Sequence, residues 1–65
     1  MHRRLDIGKS AWELVEAFGD MSAMEAFRRC EQCKAGGDYI RAAEWRLVFE
    51  KVVQLQFSTP NGPLN

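Results

Sequence analysis

From Tyr39 to Phe57 the chain contains neither glycine nor proline, so nothing local interrupts a helix over this stretch. Trp45, Val48, Phe49, Val52 and Leu55 recur at i, i+3, i+4, i+7 and i+10, which places them on one helical face. At about 1.5 Å per residue the helix is roughly 28 Å long, the width of a small domain. Ile40, Ala43 and Leu47 form a second stripe on nearly the opposite side, continued by Glu50, Lys51 and Gln54. A surface helix of a monomer needs one apolar face, so two stripes ask for partners on two sides. Either two shorter helices straddle this rod, or one stripe meets a second copy of the chain.

The chain has 65 residues, enough for one domain, and a domain of this size buries only about 60% of its unfolded surface. Domains this small gain stability from disulfides, metals or oligomerisation, and oligomerisation fits this sequence best. Nine basic residues balance nine acidic ones, and the pI is near 6.5. That removes the simplest argument for nucleic acid or an anionic membrane as partner. No apolar run approaches the roughly 20 residues needed to span a bilayer, and Asp6, Lys9 and Glu13 interrupt any secretory apolar core. The expected setting is the cytoplasm, where cysteines stay reduced.

Residues 1–9 read as a partly flexible arm, although Asp6 can cap an early turn. Ser10-Ala-Trp-Glu13 has the spacing of a capping box. Ala11, Leu14, Val15 and Phe18 then share a face, and Gly19 suits a C-terminal stop. Ser22-Ala-Met-Glu25 repeats the box and opens a helix whose narrow apolar stripe is Ala23, Phe27, Cys30 and part of Cys33, with Ala26 and Met24 at its margins. Lys34 complements the dipole of its last turn. Gly36-Gly37 ends it, and Asp38 caps the next. Pro60 and Pro63 stop any continuation beyond Phe57. The expected fold is all-α: a compact three-helix unit, with helices near 10–18, 23–35 and a long C-terminal helix 39–57. The domain spans 10–57 and a flexible tail 58–65. The core anchors are Leu14, Phe18, Phe27, Trp45, Val48, Phe49, Val52 and Leu55.

Chemistry-bearing patterns are sparse. Cys30-Glu-Gln-Cys33 has CxxC spacing, but it falls late in its helix, where the dipole opposes thiolate formation. Zinc needs four ligands, and one chain supplies these two thiols and His2, so packing is the simpler role. Arg28 and Arg29 before Gly36-Gly37 and a further helix suggest helix-turn-helix. A recognition helix needs a polar face, whereas Trp45, Leu47, Phe49 and Val52 make this one a core element. His2 is the lone histidine, Ser10 and Ser22 serve as caps, and Glu13, Glu16, Glu25 and Glu44 are scattered. No catalytic residue, cofactor or metal site is therefore expected. Trp45 belongs to the main stripe; Trp12 points away from Leu14, Val15 and Phe18 and suits either a core edge or an interface.

Trp12, Phe18-Gly19-Asp20, Ala35-Gly36-Gly37-Asp38, Ala42, Trp45-Arg46 and Val52-Val-Gln-Leu55 together resemble a family of small helical bacterial proteins of unknown function, known mainly from alphaproteobacteria. The likeness spans about residues 11 to 56 through short motifs. It implies a compact helical unit of a bacterial cytoplasm and brings no activity with it. Cys30 and Cys33 depart from the family's pattern, which puts a metal or redox role in further doubt.

The functional expectation is a non-enzymatic protein–protein interaction module that forms a homodimer or binds another protein. Its interface residues are Trp12, Ile40, Ala43 and Leu47. The alternative is a small nucleic-acid-associated regulator using Arg3, Arg4, Arg28 and Arg29.

Overall fold

The computed structural model describes residues 4–57; the expectations for His2, Arg3 and the tail 58–65 lie outside the described residues. Helix α1 spans Ile7–Phe18, a 3-10 turn spans Gly19–Met21, α2 spans Ser22–Ala35 and α3 spans Tyr39–Phe57. The described residues are all-helical, with a long C-terminal helix and no strand among them. The three-helix expectation is met in part. The chain stays helical from Ile7 through the 3-10 turn to Ala35, and the one non-helical link between helices is Gly36–Asp38.

Both expected capping boxes are replaced. Helix α1 starts three residues before the Ser10 box, because Asp6 offers a cap earlier: its Oδ1 accepts from the Lys9 amide at 3.1 Å. Starting there also brings Ile7 onto the face of Ala11 and Leu14, and Ile7 packs against the core. At the second box the Ser22 hydroxyl donates to the Gly19 carbonyl at 2.7 Å instead of capping an amide. The 3-10 turn before it already gives the Ser22 amide a partner, again Gly19 O. Gln56 reaches the same carbonyl from α3, its Nε2 donating at 2.7 Å. The corner is thereby tied to the far end of the long helix.

Gly19 sits at φ 56 and ψ −122, backbone that a Cβ disfavours. The other connection is a Schellman turn, with the Asp38 amide bonded to Cys33 O at 2.8 Å and the Gly37 amide to Lys34 O at 3.0 Å. This arrangement needs positive φ at its central residue, and Gly37 has φ 82. Asp38 then caps α3 by accepting from the Arg41 amide at 3.0 Å.

Small residues line the helix contacts. Ala11, Leu14, Ala26, Val48 and Val52 form the buried cluster, and Ser22, Cys30 and Ala42 are buried with it. Trp45, Phe49 and Leu55 pack against its edge and are partly buried. Two expected core anchors lie elsewhere: Phe18 is 41% and Phe27 53% exposed. Phe18 is the last residue of α1 and faces the Arg29 guanidinium, 6.0 Å away. In α2 the buried positions are Ser22, Ala26 and Cys30, a face turned one residue from the expected stripe. Phe27 is left beside Phe49 at the margin, ring centroids 6.1 Å apart.

Candidate functional site

The stripe Ile40, Ala43 and Leu47 is uncovered. Ile40 is 67% and Leu47 51% exposed, and Ala43 is exposed. Ala43 and Leu47 form one wall of a groove between α2 and α3 of about 750 Å³, together with Tyr39 and Phe49; Phe27 and Cys30 supply the other wall. No residue of α1 lines it, so the groove lies between α2 and α3 alone. Trp12 is 55% exposed on α1 and is not brought to this groove. The expected interface set therefore divides into a cluster on α3 and a separate tryptophan.

Phe27 extends the apolar surface. It also borders a smaller depression with Phe18, Met21 and Met24, and both methionines are more than half exposed. Met21 and Met24 are not among the interface residues expected from the sequence. Their signal was available, since Met24 and Phe27 stand at i, i+3 on α2 just ahead of Glu31. Flexible, polarisable methionines at such a rim adapt to varied apolar partners.

The charges near these surfaces are paired within the chain. Lys34 Nζ donates to Glu31 at 3.3 Å, and Arg46 Nε lies 3.6 Å from Glu50. Glu25 accepts from Arg28 Nη2 at 2.7 Å and from Arg29 Nε at 2.8 Å. The hydrogen bond from Arg28, then that from Arg29, holds the Glu25 carboxyl below the usual range, and Glu25 in turn raises Arg28. Arg29 also stacks over Trp45 at 5.1 Å, a favourable cation–π distance. Two of the four arginines of the nucleic-acid alternative, Arg28 and Arg29, are thus already engaged within the fold.

Cys30 is buried, its thiol 3.3 Å from the Ala42 carbonyl, to which it donates; Cys33 is half-buried, and both thiols are free. Among the described residues no group of three His, Cys, Asp or Glu is placed to hold a metal ion. No helix there is long and apolar enough to cross a membrane. Glu44 is a residue that sequence reasoning scattered onto the surface. It is 7% exposed, with Arg41 Nη1 3.3 Å and Arg4 Nε 3.9 Å from its oxygens.

The arrangement defines an all-helical unit with an open apolar groove along its longest helix. No family model, no curated protein and no solved structure matches the chain.

Proposed function

We propose that the chain is a non-enzymatic helical interaction module that self-associates through the open face of α3 and its groove with α2. The observation that carries this reading is the exposure of Ile40, Ala43 and Leu47 together, beside a groove walled by Tyr39, Phe27 and Phe49. Clustered apolar side chains of this size mark contact surfaces, and aromatic residues with few unpaired charges suit an interface centre. In this reading α1, α2 and α3 act as one compact unit, α1 backing the pair that makes contact. The cytoplasmic setting, and kinship with the bacterial family that the sequence resembles, belong to the same proposal.

Size-exclusion chromatography with light scattering tests it. The expected result is a dimer at tens of micromolar, dissociated by Leu47→Glu with helicity retained. A native monomer at that concentration removes the proposal. Nucleic-acid binding is the competing outcome: affinity for duplex DNA that rises as salt falls and disappears on charge reversal at Arg28 and Arg29.

A further inference from the structure

The uncovered side of α3 carries a second pattern, a line of residues spaced four, three, four, three and four: Tyr39, Ala43, Arg46, Glu50, Val53 and Phe57. This is the alternation by which one helix presents a seam to another. Tyr39 is 68% and Phe57 73% exposed; Ala43, Arg46 and Glu50 are exposed and Val53 is half-buried. Read from either end, the seam has the same chemistry: an aromatic ring, a small aliphatic side chain, then a charge. Inversion about Val48 exchanges Tyr39 with Phe57, Ala43 with Val53, and Arg46 with Glu50.

Resting on the self-association proposed above, we infer that the occupant of this face is a second copy of the chain. Its α3 packs antiparallel about a two-fold axis level with Val48. An isologous contact requires that residue i meet j while j meets i, and this seam meets that condition at all six positions. Each Arg46 then faces the partner's Glu50, and each Glu50 the partner's Arg46. Each Tyr39 meets the partner's Phe57, and each Ala43 the partner's Val53. A parallel pairing sets Arg46 against Arg46 and Glu50 against Glu50. A slide by one heptad loses both ion pairs and leaves two of the six seam positions on each chain without a seam partner. The central charges therefore select orientation and register, the best-attested role of polar seam positions. Within one chain the Arg46–Glu50 contact is long, 3.6 Å, with side chains 72% and 54% exposed. Its order, cation before anion, is the weaker one on a helix, so the pair is free to exchange partners. Leu47 lies one residue from the axis level, so the two copies of Leu47 flank it, where Leu47→Glu acts.

The test uses Arg46→Glu and Glu50→Arg as separate full-length chains. Each alone sets like charges across the axis, and its dimer weakens by roughly tenfold or more. Mixed in equal amounts, the two form a heterodimer of near-native affinity, read by native mass spectrometry and analytical ultracentrifugation. Both chains still lack their own internal pair in that mixture, so recovery can come only from pairing between chains. A chain carrying both changes dimerises like the native one. Both positions are exposed helix sites that tolerate substitution, and circular dichroism verifies that each variant is folded. If the native chain is a dimer but neither the mixture nor the double variant recovers affinity, the antiparallel register is overturned. If the native chain is monomeric, the self-association reading itself has failed.

Discussion

Glu44→Met should make this protein more stable. Both Glu44 carboxylate oxygens are buried and, among the described residues, have no hydrogen-bond partner. Its two cations are unequal: the Arg41 side chain is 25% exposed and Arg4 is 90% exposed. Burying a carboxylate costs several kcal/mol even after relaxation, and attraction to neighbouring cations recovers it only when hydrogen bonds are also made. Methionine has a similar length and helix propensity, and its removal of charge leaves both arginines with access to water. The lost contact to Arg41 is an i,i+3 helix pair, worth about 0.2–0.5 kcal/mol. Replacing a whole buried ion pair by apolar groups gains about 1–4 kcal/mol where it gains at all; here only the carboxylate is replaced and Arg41 reaches water, so a gain at the low end, about 1–2 kcal/mol, is expected. In a domain of this size that raises Tm by roughly 7–15 °C. Thermal and urea unfolding followed by circular dichroism, at one fixed protein concentration so that self-association does not intrude, provide the measurement. Arg41→Met should act in the opposite direction, by about 3 kcal/mol, because it leaves the buried charge with one distant cation. A loss of more than about 1 kcal/mol in Glu44→Met would show that the carboxylate stabilises the fold, and the reasoning would be wrong.

The remaining expectations concern the α2 charge cluster and the corner. Arg28 and Arg29 lower the pKa of Glu25 in the folded chain, so its contribution is fully present above the unfolded glutamate value. It is lost as pH falls below about 4, the ordinary glutamate range; Glu25→Gln should flatten that acid limb in unfolding free energies measured from pH 7 to pH 3. Gly19→Ala should destabilise by about 1–3 kcal/mol because φ 56 with ψ −122 suits glycine alone. Gly8→Ala, inside α1 with only Asp6 Oδ1 near the added Cβ at 3.9 Å, should stabilise by about 0.5–1 kcal/mol. Equal signs in urea titrations of the two glycine variants would refute the corner assignment.

Long-range pattern was legible where local chemistry left no alternative. Nothing between Tyr39 and Phe57 competes with a helix, Asp38 and Gly37 can each do one thing at its start, and α3 has those bounds. The starts of α1 and α2 were harder to read, because serine three residues before glutamate is a cap only when the preceding chain is not already helical. Asp6 at one site and the 3-10 turn at the other made it so. Phe18 and Phe27 were misplaced by treating size as a proxy for burial, whereas α2 turns Ala26 and Cys30 inward. Glu44 was illegible for a different reason. It follows Val48, Val52 and Leu55 around the helix only when the face is taken wider than the apolar residues alone suggest. Of the surface, Ile40, Ala43 and Leu47 could be found by spacing; Met21 and Met24 depend on where the 3-10 turn aims α2.

The burial pattern explains why apolar surface is left over at all. Helices that meet through Ala11, Ala26, Ala42 and Cys30 approach closely, and close approach leaves no room between them for rings or long side chains. Large residues must then sit around the contacts instead of inside them, as Trp12, Phe27, Ile40 and Leu47 do. Replacing the small residues with larger ones would separate the helices and overpack the centre, so the exposed rings cannot be drawn in by a modest rearrangement of one chain. They can be covered by a second surface of similar shape. The proposed self-association would then be the counterpart of a small-residue core: the same choice that packs α2 tightly on α3 leaves the outer side of α3 open.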